Sequence, residues 1–362
     1  MRRFCSLLIL LILTVTSAAL IFTACYIVPS VLFVYRPFAI NGEYVYSVPK
    51  GAKASQIVTG IARLLNMSDR DREKIYWFVK ISGYARGLKS GEYAVYTFST
   101  PKSLIERIFR GDVIRYIVTI PEGSTIYEVA ERVNRTGLAK TEEVIRLASD
   151  PPFIRSLGIN ATTLEGYLFP DTYIFTRLDN AKTILKTMVR TFWRRFPSEG
   201  ESRAKKLGMT LHDVVTMASI VEKEAVMDDE RPIIAAVFYN RLKKGMPLQS
   251  DPTAVYDIPF FRGPVKRDHI LRKTPYNTYF IRGLPPSPIC NPGLASIKAA
   301  LYPANVSYLY FVSRGDGRHI FSETYREHLQ AIRRVRDSER ACQDLTRSEI
   351  EPGKTDENPT EE

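Results

Sequence analysis

The N-terminal segment constrains the fold most, because a long apolar run follows two basic residues. After Arg2 and Arg3 the chain carries no charged side chain until Arg36. That run exceeds the roughly 20 residues that a membrane-spanning helix needs, so the sequence predicts one transmembrane helix over residues 7–35. By the positive-inside rule, residues 1–6 form a cytoplasmic tip, and the rest of the chain lies outside the cytoplasm.

This segment has two alternative interpretations, a cleaved signal peptide and a lipoprotein. Ser17-Ala18-Ala19 is a candidate cleavage site, and Cys25 is a candidate for lipid modification. The apolar run continues past both positions, which favours an uncleaved anchor.

The whole chain has an ordinary globular composition with an excess of basic residues. Its 51 Lys and Arg against 39 Asp and Glu give a formal charge of +12, which invites a nucleic-acid, anionic-lipid or anionic-polymer partner. The basic residues are scattered and no nucleic-acid-binding signature is present, so we predict no nucleic-acid partner. The histidines lack metal-ligand spacing, and neither a metal nor a cofactor is expected. Cys290 and Cys342 could pair or stay free, because spacing does not decide it.

Residues 40–150 contain a weak internal repeat. The strings from Val45 to Gly51 and from Ile117 to Gly123 each predict a strand and a Pro-x-Gly turn before an amphipathic helix. A further strand is predicted at 91–96, and a short helix at 103–109. Such a small α+β module has two interpretations: it is a spacer, or it is a LysM-like module that binds N-acetylglucosamine polymers.

A second domain is predicted over residues 151–343, because the character of the chain changes at Asp150-Pro151-Pro152. Its predicted elements are three helices, a hairpin and a closing basic helix, at residues 181–206, 211–226, 231–244, 309–322 and 324–341. Pro197 should interrupt the first of these helices. The fold class is therefore α+β: an N-terminal transmembrane helix, a small LysM-like α/β module and a larger mixed α+β domain. Residues 344–362 are acidic and polar, which predicts a disordered tail.

Two carboxylates, Glu222 and Glu224, interrupt an otherwise apolar helical run. Burying a carboxylate is costly and raises its pKa toward the range in which it can donate a proton at neutral pH. The buried helix face predicted from spacing contains Val214, Ala218, Val221 and Ala225. A rotation of about 100° per residue then places the two glutamates on opposite flanks. They cannot both point at one bond, and periodicity does not select between them.

Five strings of residues together carry a resemblance. They are Glu165-Gly166-Tyr167-Leu168-Phe169-Pro170-Asp171-Thr172-Tyr173, Ala218-Ser219-Ile220-Val221-Glu222-Lys223-Glu224, Leu248-Gln249-Ser250-Asp251-Pro252-Thr253, Pro275-Tyr276-Asn277-Thr278-Tyr279 and Gly283-Leu284-Pro285-Pro286. In this order, over nearly the whole chain, they resemble the YceG-like family of endolytic murein transglycosylases. One departure is Ser287, where the family usually has glycine, and it bears on the shape of that loop.

The resemblance implies a single-pass protein of the bacterial inner membrane whose bulk lies in the periplasm. A LysM-like module and a catalytic domain would act there on peptidoglycan strands near the membrane, with peptidoglycan synthases as further partners. The family's catalytic glutamate, carried over to its matching position, is Glu222. Glu224 is then left a structural role, such as pairing with an arginine.

Further polar residues are predicted to bind substrate. Those that could hydrogen-bond sugar hydroxyl and acetamido groups are Asn240, Gln249, Asp251, Tyr276 and Asn277. Tyr167 and Tyr279 could stack on a pyranose ring, and Glu165 could orient loops or act as a second carboxylate. Each residue also has a simpler role in a turn or in domain packing.

The implied reaction needs one glutamate, whereas most glycosidases use two carboxylates. The acid protonates the oxygen between N-acetylmuramic acid and N-acetylglucosamine, and then as a base it helps the muramic O6 hydroxyl attack C1. The product is a 1,6-anhydro end. The alternatives are a two-carboxylate muramidase-type hydrolase and a membrane-anchored scaffold that binds peptidoglycan without cutting it. Penicillin-binding-type acyl transfer is disfavoured, because the Ser-x-x-Lys strings lack a Lys-Thr-Gly partner.

Overall fold

The computed structural model describes residues 2–350, with side chains between residues 9 and 340 except 26 and 339. The chain divides into two compact units. The first contains the chain up to Ile117 together with Ile174–Asn180, and the second contains Val118–Tyr173 and the chain from Ala181 onward.

The first unit begins with the apolar segment. Helix α1, Arg2–Phe22, continues through a π-helical turn, Thr23–Ile27, into α2, Val28–Val34. The turn precedes Pro29, whose ring prevents a regular α-helical bond to the residue four positions earlier. Within the described residues one stretch, Ile9–Val34, combines 26 residues with a mean hydropathy of 2.2. At 1.5 Å per residue it exceeds the roughly 30 Å hydrocarbon core of a bilayer.

The rest of the first unit is a small α+β module with the order β-α-α-β. Strands β1 (Tyr44–Val48) and β2 (Gly91–Val95) pair antiparallel, with Tyr46 opposite Tyr93. The helices that pack with this sheet are α3 (Ala54–Leu64), α4 (Asp69–Ile81) and α5 (Pro101–Arg110). The predicted strand at 91–96 and helix at 103–109 are confirmed. The LysM-like identity of the module stays a prediction.

The second unit is built mainly from helices. Its elements, including the two strands β3 and β4 that cross the unit boundaries along the chain, are β3 (Tyr116–Thr119), α6 (Ile126–Arg135), α7 (Thr141–Ala148), α8 (Pro151–Ser156), β4 (Thr172–Phe175), α9 (Ala181–Arg195), α10 (Gly200–Lys206), α11 (Leu211–Glu224), α12 (Arg231–Lys243), α13 (Arg267–Ile270), α14 (Leu294–Leu301), β5 (Tyr310–Ser313), β6 (His319–Ser322) and α15 (Tyr325–Ile350). The helix break predicted at Pro197 and the antiparallel hairpin β5–β6 are confirmed. The mixed α+β class is therefore confirmed.

Two predicted boundaries differ from the observed elements. The predicted domain start at residue 151 lies inside the second unit, because residues on both sides of it are bonded: Leu164 N donates to Ala148 O over 2.8 Å. The predicted tail at 344–362 begins inside α15, which continues to Ile350. Residues 351–362 lie outside the described residues.

Helix α11 is the buried centre of the second unit. Thr210 caps its start by accepting from Asp213 N, and the helix packs against α12 and α14. Every residue from Val214 to Val221 is at most 1 % exposed, which is typical of a helix that is apolar on all sides. Leu211–Asp213 at the start of the helix and the last turn, which carries both glutamates, are partly exposed. The core thus holds these carboxylates at the end of a rigid element.

Candidate functional site

Glu224, the last residue of α11, has the surroundings of a proton donor. Ser250 Oγ donates a hydrogen bond of 2.5 Å to Glu224 Oε1. Burial raises the pKa of the Glu224 carboxyl to about 7; Asp251 adds to the rise, while Ser250 and Arg241 oppose it. A carboxyl group with this pKa can both give and retake a proton near neutral pH.

The loop that carries Ser250 is held by Arg241 of α12. This buried guanidinium donates to the carbonyl oxygens of Leu248 at 2.8 Å and Leu309 at 2.7 Å, and to Gln249 Oε1 at 3.3 Å. Gln249 adopts a left-handed φ of 52°, which turns the chain just before Ser250. Arg241 therefore fixes the position of the hydroxyl that contacts Glu224.

Three of the predicted substrate-binding residues lie in this neighbourhood. Gln249 flanks Ser250, and Asp251 follows it at an exposed position. Tyr279 OH donates to Asp251 Oδ1 over 2.6 Å. Asp251 is therefore a second carboxylate near Glu224, and the fold leaves it accessible.

Glu222, on the opposite flank of the helix, has a hydrogen-bond donor on each of its two carboxylate oxygens. Arg231 Nη1 lies 3.2 Å from Glu222 Oε1, with the two side chains 8 % and 6 % exposed, and Gly293 N donates to Glu222 Oε2 over 2.8 Å. Arg231 also contacts Asp228 at 2.9 Å. A cation and a backbone amide therefore each occupy one of its two carboxylate oxygens. The arginine that the sequence analysis expects beside Glu224 thus lies on Glu222.

A further carboxylate near Glu222 was missed by the sequence analysis. Glu122 belongs to the Pro-x-Gly turn of the internal repeat, and a Cβ atom at Gly293 would collide with its carboxylate. Burial and the charge of Glu222 raise the pKa of Glu122, while Arg231 opposes the rise. The turn is visible in the sequence, but no sequence signal places it against Glu222.

Glu165 is fully buried and joins separate segments of the second unit. Its carboxylate accepts from Ile126 N at 3.0 and 3.1 Å, from Tyr256 OH at 3.0 Å and from Asn291 Nδ2 at 3.0 Å. It therefore sits at the N-terminal end of α6, where the helix dipole favours an acid. Burial nevertheless raises its pKa to about 8. These contacts give Glu165 a role in holding α6, and substrate contact by it stays a prediction.

We predict that Glu165 makes stability depend on pH. Its pKa rises from 4.5 to about 8 on folding, so as pH increases through this range the unfolded carboxyl ionises before the folded one. The stabilisation present at low pH is lost, by roughly 2–4 kcal/mol between about pH 5 and pH 8. Denaturant unfolding of wild type and Glu165→Gln across this range measures the effect. The variant should have a lower free energy of unfolding than the wild type, and that free energy should change less with pH. Equal pH slopes for the two proteins would contradict the raised pKa of Glu165.

Three other predicted site residues use their polar atoms inside the protein. Tyr167 is buried, with its OH 2.9 Å from His212 Nδ1. Asn240 Nδ2 donates to two backbone carbonyls before β5. Asn277 Nδ2 donates to two carbonyls at the end of α13 and just beyond it. Their contacts with sugar stay predictions, and the contacts observed are those of packing and turn residues.

Tyr276 lies beside the group around Glu165. Its OH is 2.9 Å from Ser287 Oγ, and its ring centroid is 4.8 Å from that of Tyr256, which donates to Glu165. Ser287, the departure from the family pattern, thus has a partner for its hydroxyl. Across the described part of the chain, no group of three or more His, Cys, Asp or Glu side chains is placed to hold a metal ion.

Known proteins are similar to this chain over most of its length. The model of the YceG-like family matches residues 46–334. An endolytic murein transglycosylase of Bacillus subtilis (strain 168) is 33% identical over 303 residues, covering 79% of this chain and 82% of that protein. One of Streptococcus pneumoniae serotype 2 is 27% identical over 288 residues, which are 70% of this chain and 51% of that protein.

A solved structure is also similar. The crystal structure of a yceG-like protein from Listeria monocytogenes aligns with a TM-score of 0.56 and 31% sequence identity, covering 80% of this chain and 98% of that one. The family match extends from the first strand of the module into α15. The chain therefore belongs to the YceG-like family.

Proposed function

We propose that this protein is a lytic transglycosylase of murein. It would cut the β-1,4 bond between N-acetylmuramic acid and N-acetylglucosamine in nascent strands and leave 1,6-anhydromuramic ends. Murein as the substrate is supported by the relatives from Bacillus subtilis and Streptococcus pneumoniae, both of which are named endolytic murein transglycosylases.

The observation that carries this proposal is the environment of Glu224. The resemblance assigns the acid to Glu222, and that assignment stays a prediction. Glu222 is paired with Arg231 and bonded to Gly293 N, whereas Glu224 has a pKa raised to about 7 and a single side-chain hydroxyl donor. A general acid needs a proton to give at working pH, so we place the acid at Glu224.

The reaction can be written with Glu224 alone. Its proton goes to the glycosidic oxygen as the bond from that oxygen to C1 of muramic acid breaks. The resulting carboxylate, which accepts from Ser250, then takes the proton of the O6 hydroxyl while O6 bonds to C1. The leaving strand keeps the first proton and Glu224 regains one, so no water is consumed. Nucleophile and electrophile belong to one sugar, which favours the step entropically.

Hydrolysis is the second candidate function, and Asp251 is the observation that favours it. Asp251 is exposed and contributes to the raised pKa of Glu224, so it lies near enough to serve as a second carboxylate. Mass analysis of digested peptidoglycan separates the hypotheses. Anhydro ends support the lytic reaction, reducing ends support hydrolysis, and intact strands would support the non-cutting scaffold.

We further propose that Ile9–Val34 is an uncleaved anchor in the inner membrane and that the chain beyond it is periplasmic. The length and apolarity of this helix support the assignment, and so do Arg2 and Arg3. The LysM-like role of the first unit and contact with peptidoglycan synthases belong to the same proposal.

We expect reporters fused after Val45 to follow this topology. A periplasmic reporter should be active there, and a cytoplasmic one should be silent, because the span leaves the body outside. Activity of the cytoplasmic reporter alone would contradict both the topology and the peptidoglycan substrate. A shortened, soluble mature protein would instead indicate a cleaved signal peptide.

A further inference from the structure

A cavity of about 240 Å³ lies in the second unit between α6 and the segment after the turn Asp251–Ala254. Four aromatic side chains and two cationic ones line it: Tyr127, Tyr256, Phe260, Phe261, Lys223 and Arg262. The proposed reaction uses none of these six residues. The proposed reaction therefore assigns no role to this cavity.

Chain connectivity places this cavity beside the proposed acid. Lys223, which lines the cavity, directly precedes Glu224, and Pro252, which also lines it, directly follows Asp251. Consecutive Cα atoms are about 3.8 Å apart. Because the Glu224 carboxylate contacts Ser250, the same two segments border both the cavity and the acid. A polymer whose bond lies at Glu224 would meet the cavity with one of its neighbouring units.

The loop that closes the cavity contains a residue with a strained backbone and is attached to α6 by an ion pair. Phe260 has a left-handed φ of 57°, a conformation that is costly for a bulky residue and is concentrated at functional sites. The residue is 42% exposed, and its ring centroid lies 5.2 Å from that of Tyr127. Arg262 Nη2 binds Glu131 Oε2 on α6 over 2.6 Å. The loop is thus held on α6 with an aromatic face presented to the cavity.

We propose that this cavity is a subsite for one amino-sugar residue of the glycan strand, adjacent to the bond that is cut. The inference rests on the proposed function. Aromatic rings offer apolar faces to the C–H surfaces of a pyranose, and the volume suits one ring rather than an extended chain. Lys223 and Arg262 are balanced by Glu128 and Glu131, which also line the cavity, and Arg262 is paired with Glu131. Recognition of the sugar therefore falls to the aromatic rings.

The test measures binding of a tetrasaccharide of alternating N-acetylglucosamine and N-acetylmuramic acid by full-length Glu224→Gln protein in detergent. Adding Phe260→Ala to this parent should weaken binding about 5- to 10-fold. Phe260→Gly should weaken it equally without lowering the melting temperature further, because glycine relieves the φ strain. Tyr325→Ala, an exposed aromatic change in the second unit that does not line the cavity, should bind like the parent.

The outcomes separate the subsite from the function on which it rests. If the parent binds and the Phe260 variants match it, the subsite is rejected and the proposed function stands. If the parent binds no glycan, or if Glu224→Gln still cuts peptidoglycan, the placement of the acid and the subsite beside it both fall.

Discussion

Glu224→Gln is expected to lower peptidoglycan cleavage by ~10²–10⁴-fold, the usual contribution of a general acid. The amide keeps the size of the side chain and can still accept from Ser250 Oγ, but it has no acid proton to transfer. The fold should persist, because removing a buried ionisable group of raised pKa costs little in itself. Initial rates of product formation on purified peptidoglycan measure the loss, with circular dichroism as the check on folding.

Glu222→Gln is the matched control, two residues away on the same helix. It weakens the buried contact with Arg231, which keeps Asp228 as a partner. We expect a loss of roughly 1–3 kcal/mol in the free energy of unfolding with cleavage retained within about tenfold. If Glu222→Gln abolished cleavage and Glu224→Gln did not, the acid would be Glu222 and our assignment would be wrong.

Arg241→Met should have the largest effect on stability. The methionine fills much of the same space, but it leaves the buried carbonyls of Leu248 and Leu309 without their charged donor and releases the exposed Gln249 side chain. Buried acceptors that lose a charged donor cost about 1–3 kcal/mol each, so we expect a total loss of roughly 3 kcal/mol or more in the free energy of unfolding. Cleavage should also fall, because the loop that presents Ser250 to Glu224 is released.

Denaturant unfolding measures this loss, with Arg203→Met as the control. Arg203 Nε donates to Leu301 O over 2.8 Å at a part-buried position, so its removal should cost about 1 kcal/mol. If the two variants were equally stable, the loop would not depend on Arg241, and the account of how Ser250 is positioned would fail.

The helices were predictable because each is specified locally. Alternation of apolar residues and the position of Pro197 defined the helices from α9 to α12 to within a few residues. Between α12 and α14 the chain forms short helical turns and otherwise irregular structure. The sequence motifs in this stretch identify candidate residues but do not predict where their side chains lie. Asn277 in this stretch and Asn240 at the end of α12 bond backbone carbonyls, which no motif predicts, and their contact with sugar stays a prediction.

The two glutamates illustrate what sequence alone could not decide. Helical rotation predicted correctly that they would face opposite sides of α11. Their chemistry, however, depends on partners far away in the chain: Ser250 is 26 residues from Glu224, and Gly293 is 71 residues from Glu222. Such contacts arise from tertiary packing and leave no periodic signal. The difference between a carboxylate paired with an arginine and one that accepts from a hydroxyl therefore became visible only in the structure.

The most direct test of the central claim is cleavage of purified peptidoglycan in ¹⁸O-labelled water. If the muramic O6 hydroxyl attacks C1, the new ends will be 1,6-anhydromuramic acid and will carry no label, at a rate that depends on Glu224. New reducing ends that contain ¹⁸O would contradict the account. They would show that water is the nucleophile and make Asp251 the first candidate for the second carboxylate.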